Sequence, residues 1–333
     1  MADPNIEGLE VLNRRVAREL ELLTLPAAPW VPEREVGGER LLDVAIIGAG
    51  MAGLAAAAAM RNLGLNVVNY DRRPRGFEGP WATTARMETL RSPKTLTGPA
   101  LGIPSLTFRA WFEAQFGAAD WEALDKIPRL MWMDYLRWFR AVLNLDIRNR
   151  HDIAAIHLGA DYATLEMDGP AGRQRVLARH VVLATGRDGL GGPYVPAIAE
   201  SLPRERWAHS SDENDYASLR GKRVAVVGAG ASAMDSAGTA LEAGAARVDL
   251  LIRRRDIPRI NRGKGMGHPG SVAGYRYLPD DWKWRINGYV AREQVPPPRA
   301  SVLRVSRHPN AFFRQGTALL SARMEGDDIV VET

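Results

Sequence analysis

Leu42-Asp43-Val44-Ala45-Ile46-Ile47-Gly48-Ala49-Gly50-Met51-Ala52-Gly53, continued by the alanine-rich residues 54–60, decides how this chain folds. An apolar run of strand length meets glycines at G-x-G-x-x-G spacing and passes into a helix-forming stretch, which predicts strand, tight turn and helix. Glycine at 48 permits the turn, glycine at 50 lets the backbone approach a pyrophosphate, and glycine at 53 lets the helix pack on the strand. Met51 and Ala52 open the helix, whose free N–H groups and positive dipole end suit an anion. Gly64 closes that helix, and residues 65–70 read as a second strand. Asp71 ends it and Arg72 follows. An acid about 20 residues beyond the glycines is placed to accept ribose hydroxyls.

Gly228-Ala229-Gly230-Ala231-Ser232-Ala233 repeats the logic in a unit spanning residues 223–254. Its second strand, residues 248–252, ends in Arg253-Arg254-Arg255 rather than an acid. A carboxylate there would repel a 2′-phosphate, whereas the guanidinium of Arg253 or Arg254 can grip it in two-pronged fashion. This favours NADPH over NADH, with a solvated basic edge as the alternative for at least one of the three arginines. Ser232 adds a hydroxyl at the helix start. One fingerprint binds one dinucleotide; two suggest that a nicotinamide meets a flavin.

The 333 residues, 46% of them hydrophobic, suffice for two cores in an ordinary globular chain. A net charge of +5 suits phosphate-bearing ligands but is too diffuse for a nucleic-acid surface. The absence of cysteine excludes disulfides, thiolate metal sites and a redox-active Cys pair. The six histidines are scattered without ligand spacing, so no metal site is expected. The charged start lacks a signal-peptide core, and glycines interrupt the apolar stretch 44–60, so a cytoplasmic protein without a membrane span is expected.

Residues 6–23 predict a helix with Leu9, Leu12, Val16, Leu20 and Leu23 on one face, docking either on its own body or on a second copy in a homodimer. A Pro-rich connector at 25–32 leads to a folded body beginning near Leu41. Residues 81–104 read as loops, Thr107 as the cap of a helix reaching Phe116, and residues 130–143 as a helix with Met131, Tyr135, Trp138 and Val142 in a stripe. Residues 153–184 alternate as a small β-meander with turns at 159–161 and 168–172, ending in Ala184-Thr185-Gly186. Gly and Pro crowd the crossing from 189 to 203, residues 256–300 show little periodicity, and residues 329–331 look like a last strand. The Gly263-Lys264 pair lacks the leading glycine of a P-loop and is set aside.

The order GAGMAG, Asp71, Gly79-Pro80-Trp81, Ala184-Thr185-Gly186, GAGASA resembles the class B flavoprotein monooxygenases: flavin-containing, Baeyer–Villiger-type and N-hydroxylating enzymes. The resemblance implies two Rossmann-like α/β domains with a small β-meander, the second inserted into the first. On that plan residues 1–40 are an N-terminal helix and linker, 41–190 the FAD domain, 191–325 the NADPH domain, and 326–333 the start of a return to the FAD domain. It also implies that Trp81 stands near the flavin, that Thr185 and Gly186 mark the crossing strand, and that FAD and NADPH are the cofactors. NADPH would reduce FAD, and a peroxyflavin would pass one oxygen atom from O2 to a small organic substrate.

His209-Ser210 is a partial match to the family's linker signature, and Ser232-Ala233-Met234-Asp235 looks closer to the N-hydroxylating branch. Arg86, Arg91 and Lys94 follow Trp81 and place positive charge in that loop, suiting a carboxylate-bearing amine, the FAD pyrophosphate or simply solvent. Trp81, Arg91 and His209 are therefore the catalytic candidates. Resembling flavoproteins complete the flavin pocket with a second strand ending in T-G, and no second such segment is present here, so FAD retention is itself an expectation to test. A flavoprotein reductase of an electron carrier, and a nucleotide-binding remnant without turnover, share both fingerprints and stay as alternatives.

Overall fold

The computed structural model describes residues 4–187, 189 and 191–333, which divide into two units between Pro193 and Tyr194. The domain boundary expected at 190/191 touches Leu190, which lies outside the described residues, as do the first three residues of the N-terminal segment.

The first unit opens with α1 (Ile6–Leu22), capped by the Asn5 side chain, which accepts the Gly8 N–H at 3.0 Å. Leu12 and Val16 are buried, and the helix lies so close to residues 108–123 that a Cβ on Gly8 would sit 1.9 Å from the Ala114 carbonyl oxygen. The apolar face therefore docks on the chain's own body. Next come β1 (Glu35–Val36), β2 (Glu39–Ile47), α2 (Met51–Asn62), β3 (Val67–Asp71), α3 (Phe108–Ala123), α4 (Arg129–Val142) and β4 (Ile147–Asn149). The meander β5 (Asp152–Leu158), β6 (Ala163–Gly169) and β7 (Gly172–Leu183) follows. These strands form one sheet in the order β4-β3-β2-β7-β6-β5, with β1 flanking the start of β2. Strands β4, β3, β2 and β7 are parallel, and β6 and β5 continue antiparallel.

The meander is thus an extension of the main sheet, through β7, rather than a separate body. It curls back: Leu165 and Met167 of β6 pack with Ala45, Ile47, Val68 and Tyr70 of β2 and β3. The other face carries the large core of α1 to α4, with Phe108, Phe112, Trp132, Tyr135 and Phe139 fully buried.

Two local expectations shift. Thr107 caps α3 as predicted, accepting the Ala110 N–H at 3.1 Å, but helix resumes beyond a break at Gly117 (φ 84°) and runs to Ala123. On α4 Trp132, Met133, Tyr135, Leu136 and Phe139 are the most deeply buried, whereas Met131 and Val142 are half-buried. The aromatic floor from α3, with Phe108 and Trp132 centroids 5.5 Å apart, selects that rotated i, i+3, i+4, i+7 face.

The second unit contains α5 (Ala197–Glu200), β8 (Arg223–Val227), α6 (Ala231–Glu242), β9 (Arg247–Ile252), α7 (Pro269–Tyr275), α8 (Asp280–Glu293), α9 (Arg299–Ser306), β10 (Ala311–Gln315), β11 (Ser321–Glu325) and β12 (Asp328–Glu332). Strands β10-β9-β8 form a parallel sheet whose inner face packs Val248, Leu250 and Ile252 against Met234 and Ala237 of α6 and Val305 of α9. The strand expected at 329–331 forms as β12 and pairs antiparallel with β11. It makes a hairpin inside the second unit, where a return to the first sheet was expected. The two units together make up the described residues. None of their helices is long and apolar enough to cross a membrane.

Candidate functional site

Gly48 adopts φ +99°, a left-handed value that favours glycine, and an added Cβ would stand 2.5 Å from the Ala184 carbonyl oxygen. The turn thus lies against Ala184-Thr185, whose strand is registered by Ala184 N–H donating to Ile47 O at 2.8 Å. A Cβ on Gly53 would lie 1.9 Å from the Gly48 carbonyl oxygen, so that glycine is required by the packing of α2 on the turn. Gly50 differs. Its Cβ would meet nothing nearer than Gly79 Cα at 3.6 Å, an ordinary contact, so the protein itself does not demand glycine there. Gly50 caps α2 without a side-chain hydrogen bond, and the first turn carries no acid. The cradle fits a pyrophosphate that must come within touching distance of backbone and meet unpaired N–H groups.

Asp71 is 8% exposed, and both of its oxygens are engaged. Oδ2 accepts the Ala49 N–H at 2.7 Å, and Oδ1 accepts the Arg73 N–H at 2.8 Å. The acid ties β3 to the glycine turn, and each oxygen retains a lone pair for a ribose hydroxyl. Beneath it, Asn69 is fully buried and donates to the Gly53 carbonyl at 3.2 Å and more weakly to that of Gly48 at 3.4 Å. Asn69 belongs to no motif, and a carboxamide amid the aliphatics of β3 is the signal in the sequence that marks it. Beside the corner lies a cavity of about 350 Å³ walled by Ala49, Leu54, Phe77, Glu78, Met133 and Arg140.

The second corner repeats the geometry. Gly228 sits at φ +123°, Gly230 has open space where a Cβ would go, and α6 starts without a side-chain cap or an acid. Ala233 stands in the third glycine position, and the Gly228 Cβ site lies 3.6 Å from its methyl, so this corner is looser than the first. Ala231 is half-buried and Ser232 is exposed in the first turn. Gly48 N–H donates to Tyr70 O at 2.8 Å and Gly228 N–H to Leu251 O at 3.0 Å, which aligns Tyr70 with Leu251. The residue equivalent to Asp71 is therefore Ile252, 1% exposed, and Arg253 stands one position beyond it, beside Arg72 in the alignment. Arg253 is exposed; Arg254 is half-buried and donates to the Arg292 carbonyl at 3.0 Å.

The remaining candidates separate. Trp81 is half-buried against the α1–α4 core, and its carbonyl accepts from Arg129 at 2.5 Å. Arg91 is exposed in the same loop, while Lys94 donates to the Trp121 and Glu122 carbonyls at 2.8 and 3.2 Å, at the end of α3. Arg86 hydrogen-bonds to the Thr83 carbonyl. Lys94 and Arg86 thus serve the loop's own structure. Thr185 and Gly186, the latter at φ +70°, follow the strand beside the first corner. His209 lies in the second unit, where its Nδ1 accepts the Ser211 N–H at 3.1 Å and its backbone N–H donates to Asp212 at 2.8 Å. A ring nitrogen used as a local turn acceptor makes this histidine a loop-former in the geometry seen. Asp235 is 4% exposed and accepts from Ser301 at 2.7 Å, so the acid of the Ser232–Asp235 motif faces α9.

Residues 42–264 match the pyridine nucleotide-disulphide oxidoreductase family. The chain belongs to that family. It is 41% identical over 332 residues to the FAD-dependent urate hydroxylase of Xanthomonas campestris pv. campestris, covering 98% of this chain and 69% of that one. An ornithine N-hydroxylase of Kutzneria sp. 744 superposes with TM-score 0.70 at 19% identity, covering 87% of this chain and 75% of that one. An ornithine hydroxylase of Pseudomonas aeruginosa gives 0.72 at 17% identity, covering 87% and 77%. Those two likenesses establish the fold: the paired dinucleotide-binding units expected from the sequence are the architecture of this oxidoreductase family. The family's disulphide relay has no counterpart here, because the chain has no cysteine.

Proposed function

We propose that this oxidoreductase is an FAD- and NADPH-dependent monooxygenase acting on a small nitrogen-rich substrate, with urate the leading candidate. FAD belongs to the first corner, where Gly48, Gly50, Met51, Ala52 and Gly53 receive the pyrophosphate and Asp71, followed by Arg72, receives the ribose. NADPH belongs to the second, where Gly228, Gly230, Ala231, Ser232 and Ala233 receive the pyrophosphate. Arg253 is the grip for the 2′-phosphate, with Arg254 beside it. Bound flavin, reduced by NADPH, supplies the electrons that split O2 between substrate and water. The chain's part is to hold both dinucleotides and to exclude solvent, with Trp81 and the Ala184-Thr185-Gly186 segment near the flavin.

The observation that carries this reading is the vacancy-tolerant position at Gly50 and its twin at Gly230, where the fold has room for a side chain and the sequence has glycine. The 41% identity to a urate hydroxylase over nearly the whole chain supports urate. Amine N-hydroxylation, suggested by Ser232–Asp235, is weakened by the use of Asp235 in helix packing.

The test supplies purified protein with FAD and NADPH, then offers urate, ornithine and lysine separately while oxygen uptake and hydrogen peroxide are followed. Urate should raise oxygen uptake without a matching rise in peroxide. Coupling by an amine instead would move the substrate assignment to N-hydroxylation. Reduction of an added iron–sulfur protein with no coupled oxygen uptake would make this a reductase. Protein that takes up no FAD would be a nucleotide-binding remnant.

A further inference from the structure

Glu78 is 5% exposed, in a loop between Asp71 and Trp81 that otherwise reads as surface. Its Oε1 accepts from Arg140 Nη1 at 2.5 Å and from Asn149 Nδ2 at 2.7 Å, and its Oε2 accepts the Gly76 N–H at 2.8 Å. Arg140 also donates to Asn149 Oδ1 at 2.9 Å and to the Ile147 carbonyl at 3.0 Å. Asn149 closes the ring by donating to the Arg73 carbonyl at 3.0 Å. On the outer side, Arg137 donates to the Gly76 carbonyl through Nε at 3.0 Å and Nη2 at 2.6 Å. One loop is thereby fixed at residues 73, 76 and 78 by α4 and the end of β4.

A buried ion pair is a costly way to stabilise a fold, since desolvation offsets much of its attraction, but it specifies one geometry sharply. Here the geometry it specifies adjoins the first glycine corner. Gly79, next to Glu78, packs against Gly50 with its Cβ site 3.4 Å from Gly50 Cα, and Glu78 and Arg140 wall the cavity beside Ala49. We propose that Glu78, clamped by Arg140 and Asn149, is a positioning residue that sets the width of the FAD cradle by holding the Gly76–Gly79 loop against the glycine corner. This rests on the assignment of FAD to that corner. The clamp touches no reacting atom; it acts through the loop.

The experiment measures FAD dissociation constants by flavin fluorescence on the full chain stripped of flavin, alongside NADP⁺ affinity and the unfolding temperature of the FAD-free protein. Glu78→Gln, which keeps an acceptor for Gly76 but discharges the pair, and Arg137→Ala, which frees the loop from the exposed side, should both weaken FAD. The expected loss is on the order of tenfold, larger for Glu78→Gln, with NADP⁺ affinity unchanged. The unfolding temperature of FAD-free Arg137→Ala should stay near wild type, separating cradle shape from global stability. Wild-type FAD affinity in both variants overturns the clamp and leaves the cofactor assignment standing. So does a weakening of FAD that only follows a lowered unfolding temperature and is matched by loss of NADP⁺ affinity. Wild-type protein that binds no FAD overturns the assignment and the clamp together.

Discussion

Gly50 and Gly53 belong to one turn, yet a methyl group added at each meets different surroundings. At Gly53 it would sit 1.9 Å from a backbone carbonyl oxygen that cannot retreat without opening the turn. Gly53→Ala should cost about 1–3 kcal/mol, as overpacking does, and lower the unfolding temperature by roughly 2–4 °C per kcal/mol. At Gly50 the same methyl makes an ordinary 3.6 Å contact, so Gly50→Ala should melt like wild type and yet bind FAD poorly. Thermal melts with and without FAD separate the two, and a Gly50→Ala protein that keeps its FAD affinity sinks the pyrophosphate role. At this scale the glycine spacing and Asp71 were legible, because both follow from chain position along strand and turn. The bonds from Ala49 and Arg73 to Asp71, and the burial of Glu78, were not, because they depend on which way a loop folds back. That Arg253 stands one position beyond the place equivalent to Asp71 was not legible either, for a related reason. Only the bonds from Gly48 and Gly228 to the second strands fix which residue ends each strand in the same place.

Among the elements, α9 is fastened to α6 by charge as much as by apolar contact. Arg304 is 7% exposed, its stem lies so near Gly238 that a Cβ there would meet its Cδ at 2.9 Å, and its guanidinium bonds Glu242 at 2.9 and 2.5 Å. Arg307 adds a second bond to Glu242 at 2.5 Å. The Arg304 hydrogen bond, foremost, holds the Glu242 carboxyl below its ordinary 4.5, with Arg307 contributing further and burial opposing. A carboxylate whose folded value is depressed stabilises fully above its unfolded value, and that contribution is lost as pH falls through the folded one. Glu242→Gln should therefore melt below wild type at about pH 6, with the gap narrowing by about pH 3.5. A gap independent of pH would show that the pair does not carry the effect. Elements with an apolar stripe or strict alternation were readable from sequence. Helix α8 was not: it buries none of its side chains, so it prints no period, and it is marked only by Asp280 and Asp281 in its first turn and the Lys283–Asp280 pair. The meander was readable as strands, but its parallel junction of β7 with β2 is a long-range pairing that local pattern does not encode.

Across the whole molecule, the division into two units follows the two fingerprints, and the boundary falls in the Gly/Pro-rich crossing where the composition changes. The place of the last strand was less legible, since the pairing of β12 with β11 depends on a turn at Gly326 rather than on the apolar run itself. Each unit has its own buried core and its own glycine corner, so each dinucleotide should stabilise the protein through a separate unit. A ligand held only by the folded state adds RT ln(1 + [L]/Kd), about 2.7 kcal/mol at a hundredfold excess over Kd. Arg253 is exposed just past Ile252, and a guanidinium carries a donor fork that matches a phosphate. Arg253→Ala should shrink the thermal shift given by NADPH by an amount equivalent to roughly tenfold in affinity, as expected for one charge-assisted contact. The shift given by NADH should hardly change, because NADH has no phosphate to lose. The shift given by FAD should also persist, because its corner lies in the first unit. Equal losses for NADPH and NADH would remove Arg253 from the 2′-phosphate, and loss of the FAD shift as well would show that the two cofactors are bound by a single cooperative unit.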